Sequence, residues 1–177
     1  MDSVQLKTLQ APLKQQYRDD PITALVTLKA SGVLDASGIS CRVETGRALV
    51  EAGLHPATGG TGLQACSGDM LLEALAACAG VTARAVATAL EIPVRAGTVE
   101  VEGDLDFRGT LGVSKEAPVG FREIRLKLNL DSDATQEQLD TLLKLTERYC
   151  VVLQTLKSPT PVIASLGLSV HSPPPTP

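Results

Sequence analysis

The stretch from Ser67 to Leu90, SGDMLLEALAACAGVTARAVATAL, restricts the possible folds more than any other part of the chain. It predicts one helix over roughly 69–90, stopped by Pro93. From Met70 to Leu90 that helix is apolar nearly all round, and helices of this kind are buried on most faces. Asp69, Glu73 and Arg84 interrupt the apolar run, which argues against a membrane span. Cys78 sits in the middle. Ala74, Leu75, Val81 and Thr82 flank it on the adjoining turns, and Ala76, Ala77, Ala79 and Gly80 surround it in sequence. Such small residues let another backbone approach closely. Cys78 is therefore either a small hydrophobe in a tight helix contact or a sheltered reactive sulfur. The helix alone leaves both readings open.

The rest of the chain has to cover this helix. Its 177 residues suggest one domain with a substantial core. Residues 1–23 read as an N-terminal arm or short helix with Pro12 as a breaker, 24–170 as the folded unit, and the Pro-rich 171–177 as a disordered tail. ALVTLKA (24–30) and SGISCRV (37–43) read as a hairpin joined through Gly32, Asp35 and Gly38, with a third short strand near 47–52. A Gly-rich loop then leads into the long helix. Segments 97–109 and 122–130 alternate apolar and polar residues, as half-buried strands do. A second helix follows, with Asp133 as its N-cap and Gln136 as capping-box partner, and PVIASLGLSV (161–170) reads as a last strand. Strands, helix, strands, helix, strand is an α+β order, with antiparallel sheets packed on helices.

Composition removes several classes of function. A formal net charge of −4 gives no electrostatic basis for binding nucleic acid or an anionic membrane. Only 2% of residues are aromatic and Trp is absent, which makes base-stacking platforms improbable and leaves Leu, Val, Ile and Ala to build the core. The N-terminus is polar and lacks the apolar region of a secretory signal, so a cytoplasmic location is expected, with cysteines as thiols. Cys41, Cys66, Cys78 and Cys150 form no C-x-x-C pair, and His55 and His171 are the only histidines. No metal site is expected from that set. His55 lies in the Gly-rich loop and reads as a loop-ordering residue.

At ~100° per residue, Leu139, Leu142, Leu143, Thr146 and Cys150 fall in one stripe of the second helix, so two separate elements each aim a cysteine inward. Cys66 precedes Cys78 by twelve residues of the same helix, about 18 Å of axial rise, and is a poor disulfide partner for it. Cys41 sits on a strand and reads as structural.

Two motifs carry a resemblance. DMLLEALAAC resembles the signature of the OsmC/Ohr family, the osmotically induced protein C and organic hydroperoxide resistance proteins, and TERYCVVLQTL resembles its second signature. Their order, their spacing and the strands between them strengthen the match, which spans about 24–170. The resemblance implies an OsmC-like fold: antiparallel sheets wrapped around two central helices in an intertwined homodimer, with sites at the subunit interface. It implies an antioxidant enzyme of the oxidative stress response. In it Cys78 would be the peroxidatic cysteine and Cys150 the resolving one, joined in a disulfide during turnover. The substrate would be a small organic hydroperoxide. No bound cofactor is implied, only an external dithiol reductant of the lipoyl type, free or on a lipoylated protein.

The chain also departs from the pattern. The family holds an arginine near the sulfur with a glutamate, and here Asp69 stands at the glutamate position. Asp69 could instead be a favourable first-turn carboxylate. Glu73 is nearer in sequence but lies roughly 140° around the helix from Cys78. The activating arginine is Arg18 by preference, with Arg42, Arg47, Arg84 and Arg148 as alternatives. Val151 follows Cys150 where a proline is common. These departures leave a second reading, a dimeric small-ligand-binding or redox-sensing protein of the same fold without peroxidase turnover.

Overall fold

The computed structural model describes residues 2–20, 31–34, 40–44, 49–112 and 114–167, and in 31–49 and parts of the first helix it describes the backbone alone. The described elements run α1 (Ser3–Asp19), β1 (Ser31–Leu34), β2 (Ser40–Glu44), β3 (Leu49–Gly53), β4 (Ala65–Cys66), α2 (Ser67–Ala89), β5 (Ala96–Asp104), α3 (Phe107–Thr110), β6 (Glu123–Asp131), α4 (Gln136–Tyr149) and α5 (Val151–Lys157). β1 to β4 form one sheet in that order, antiparallel except for the parallel β3–β4 pair, and β5 and β6 form a second, antiparallel sheet.

α2 is the spine. Leu75, Ala79, Ala83 and Ala87 recur every fourth residue and form its buried stripe. Above them the β5–β6 register sets Val99 opposite Leu128 and Val101 opposite Leu126. Val99, Val101, Ile124 and Leu126 pack on the Leu75–Ala79–Cys150 cluster, while Leu130 packs with Leu142 and Ala87 lower down. The alternate residues face outward and pair across the strands, Glu102 opposite Arg125 and Glu100 opposite Lys127. Full burial of one Leu such as Leu75 stabilises the subunit by roughly 1.5–3 kcal/mol. By length and composition alone α2 could cross a membrane. Its opposite stripe, Ala74, Ala77 and Val81, is exposed in the subunit, with Val81 at 73%.

Several elements differ from the sequence expectation. Pro12 does not break the N-terminal helix: α1 continues through it from Ser3 to Asp19. In the first hairpin, β1 occupies 31–34, where a connection was expected, and pairs with 40–44. Segment 24–30 lies outside the described residues, as does the tail 171–177. The second helix is capped by Thr135 and Gln138, a complete capping box, rather than by Asp133 and Gln136. Asp133 is committed elsewhere, in an ion pair with Arg95. Ser132 bonds the Pro93 carbonyl and accepts from the Ala134 N–H, so the helix starts two residues later. Leu143 of the expected apolar stripe is 45% exposed. Residues 161–167 are not a strand. Val162, Ile163 and Leu166 are 88%, 94% and 87% exposed, and no described strand offers this segment a ladder.

Candidate active site

Cys78 and Cys150 meet where α2 passes the junction of α4 and α5. α4 ends at Tyr149, one residue before the expected cysteine. Cys150 takes an extended backbone conformation (φ −71°, ψ 106°) and is at once the C-cap of α4 and the N-cap of α5. Its N–H still bonds the Thr146 carbonyl at 2.9 Å, so the kink occurs without loss of that helical bond. The Cys150 side chain is 0% exposed, sealed by Leu75, Ala79, Val152 and Leu153. Cys78 packs on the same cluster and is half-buried. Both sulfurs are thiols, as is Cys66.

The chain turn at Cys150 has a chemical consequence. A new helix starts there, and the first N–H groups of a helix have no partner within it. Those of Val152 and Val151 favour the charged form of the Cys78 thiol. Burial by itself would push the Cys78 thiol up. Hydrogen bonds from the Val152 N–H, the Cys150 thiol, the Val151 N–H and the Thr82 hydroxyl outweigh it, and the thiol is lowered. Cys150 moves the other way. Burial raises it, and donating to a Cys78 thiolate raises it further, against partial relief from the Leu153 and Val152 N–H groups. One thiol is thus set to ionise first and its neighbour to keep its proton.

Among the described residues no guanidinium acts on the Cys78 sulfur. Arg84 donates to the Val94 carbonyl at 2.6 Å, and Arg148 lies over the Tyr149 ring. Arg18 sits in α1 with its side chain outside the described residues, as is the side chain of Arg42; Arg47 lies outside entirely. Asp69 is exposed on the first turn of α2, nine residues or about 13.5 Å of rise before Cys78, so one subunit does not bring the two together. Glu73 is exposed too. Cys66 is the N-cap of α2, and His55 caps a short 3-10 turn, its Nδ1 accepting from the Ala57 N–H at 3.0 Å. The side chain of Cys41 lies outside the described residues. Among the described residues no three His, Cys, Asp or Glu side chains gather to hold a metal ion.

The sequence suggests an arginine beside Cys78, whereas the groups that lower its thiol include the backbone N–H groups of Val151 and Val152. The signal was present in the missing proline. A proline after Cys150 has no N–H, whereas Val151 supplies one.

The sequence matches the family described as OsmC-like protein over residues 60–165. No curated protein matches it. Among solved structures, the fold is similar to an OsmC-like protein from Mycoplasma pneumoniae, at a TM-score of 0.63 and 19% identity, covering 76% of this chain and 89% of that one. It is also similar to an organic hydroperoxide resistance protein from Elizabethkingia anophelis, at 0.60 and 18%, covering 76% and 91%. A third is the organic hydroperoxide resistance protein OsmC from Legionella pneumophila, at 0.59 and 17%, covering 75% and 90%. At such identities these likenesses speak for the fold. An α+β subunit of OsmC-like fold is matched to the family sequence over more than half its length: the chain belongs to the OsmC-like protein family.

Proposed function

We propose that the protein is a thiol-dependent peroxidase that reduces organic hydroperoxides to alcohols. The observation that carries this reading is the packing of Cys78 on the buried cluster that holds Cys150, with the Cys78 thiol lowered and the Cys150 thiol raised. The Cys78 thiolate attacks the distal oxygen of R–O–O–H. The O–O bond breaks, RO⁻ leaves and takes up a proton as the alcohol, and Cys78 becomes a sulfenic acid. Cys150 then attacks that sulfur. Its S–H proton and the sulfenic hydroxyl leave as water, and the two sulfurs join. The proximity that makes this step effectively intramolecular exists in the resting subunit. An external dithiol of the lipoyl type restores both thiols by exchange and leaves as its own disulfide.

We propose further that the working form is an intertwined homodimer. The exposed stripe Ala74–Ala77–Val81, the exposed Val162, Ile163 and Leu166, and a second sheet that has two strands among the described residues all support a second copy as cover. In that assembly Asp69 and Arg18 are the candidates for completing the environment of Cys78, and the cytoplasm is the compartment that would keep the thiols reduced. The test is turnover. Purified protein with dihydrolipoamide should consume cumene hydroperoxide catalytically, and Cys78→Ser should abolish this. No consumption, or unchanged consumption in the variant, removes the peroxidase reading.

A further inference from the structure

Away from the two thiols, a cavity of about 400 Å³ opens beside the first turn of α2. Its walls include Leu54, His55, Leu71, Leu105, Phe107 and Phe121. The chain has only two phenylalanines, and both line this one cavity.

The walls are held in place by specific backbone devices. Phe121 lies so close over Gly103 that a Cβ there would come within 2.5 Å of its ring. Gly109 lets the Pro118 carbonyl approach to 2.4 Å of where its Cβ would be, which draws the loop before Phe121 onto α3. The His55 carbonyl accepts from the Thr58 N–H at 2.8 Å, the Gly60 N–H at 3.1 Å and the Thr58 hydroxyl at 2.9 Å. Its ring stacks on Phe107 with centroids 4.8 Å apart and an interplanar angle of 18°. Because Nδ1 accepts from the Ala57 N–H, the neutral ring carries its proton on Nε2. Among the described residues no acceptor is bonded to that N–H.

A preformed, largely apolar concavity in the range of ~300–1,000 Å³ with a fixed polar group has the form of a small-molecule site. We propose that it binds a small molecule with an aromatic body and one hydrogen-bond acceptor. The body would lie against Phe107 and Phe121, and the acceptor would take the Nε2–H of His55. The site stands apart from the peroxidase reading: neither Cys78 nor Cys150 lines it, and Gly68 at its edge lies ten residues, about 15 Å of rise, from Cys78.

Benzamide is the probe, titrated into the full-length protein and followed by amide NMR. Saturable shifts centred on Gly68, Phe107 and Phe121 are expected. A Cβ on Gly68 would meet Phe121, Cys66 and Leu105 at 3.5–3.6 Å, ordinary contact, so Gly68→Leu extends into the cavity and should abolish the shifts. His55→Asn keeps an acceptor for the Ala57 N–H but loses the distal donor. It should weaken benzamide about fivefold and leave ethylbenzene unchanged. If Gly68→Leu does not fold, the His55→Asn comparison decides alone. Absence of saturable shifts, equal benzamide affinity in either variant, or shifts that appear only when dilution dissociates an oligomer would overturn the proposal. The last outcome would mean that a second copy fills the cavity.

Discussion

Cys78 packs on the buried cluster that contains Cys150, so the two thiols a disulfide would join are neighbours in the reduced subunit. Their burial differs, and so do their proton affinities. Cys150 is fully enclosed and raised, mainly by that burial. Cys78 is half-buried, and hydrogen bonds lower it despite the burial that works against them.

This asymmetry predicts the pH dependence of alkylation. A thiol lowered in the folded state is already thiolate at a pH where an ordinary thiol, titrating near ~8.5, is mostly protonated. The rate of iodoacetamide labelling at Cys78 should therefore level off below that pH, and Cys150 should resist labelling until well above it. Peptide-resolved mass spectrometry reads both. Equal titration of the two thiols, or Cys150 reacting first, contradicts the assignment.

Val151→Pro isolates the backbone contribution. Proline suits the first position of a helix, and Cys150 already has the extended conformation that a following proline requires. The Val151 side chain is 71% exposed, so little packing is lost. What disappears is one N–H that favours the Cys78 thiolate. A hydrogen bond to a charged group contributes about 1.5–3 kcal/mol, so alkylation of Cys78 at neutral pH should slow by on the order of tenfold or more. Circular dichroism should stay unchanged. An unaltered labelling profile would show that Val151 does not act on the sulfur.

Leu75→Ala and Leu142→Ala test the core beneath the site. Both side chains are 0–1% exposed, and each leaves a cavity between α2 and its neighbours. Each should lower unfolding free energy by about 2–5 kcal/mol in urea titrations. Leu75→Ala should also loosen Cys150, which packs against it, and lower the yield of the internal disulfide. Leu142→Ala, in the other cluster, should leave that yield intact. Equal effects on the disulfide would mean that the Leu75 contact does not hold Cys150 in place.

Val81→Lys puts a charge on the exposed stripe of α2. A dimer formed through that stripe would have to desolvate the new ammonium. Sedimentation should show a dimer for the natural chain and a monomer for the variant. A dimeric variant places the subunit contact elsewhere.

Much of this was legible in the sequence because it rests on periodicity. The long helix α2 and the alternation of β6 come directly from residue spacing, but α2 is buried along one stripe rather than on most faces, and Cys150 is buried at the junction of two helices rather than on the stripe of one. Features set by competition between partners were not legible. Asp133 looks like an N-cap until Arg95 claims it, and only then does Thr135 take the role. Segment 161–167 alternates like a strand but has no described neighbour to complete its ladder. The source of activation at Cys78 was hidden for a similar reason. Backbone N–H groups are invisible in composition and spacing, and whether they are free depends on where one helix ends and the next begins, here at Cys150.

Peptide mapping after one equivalent of cumene hydroperoxide tests most directly whether Cys78 and Cys150 act as one redox unit. A Cys78–Cys150 disulfide is expected as the dominant product, replaced in Cys150→Ser by sulfenic and higher oxides on Cys78. Oxidation confined to Cys41 or Cys66, with Cys78 and Cys150 still reduced, would contradict it.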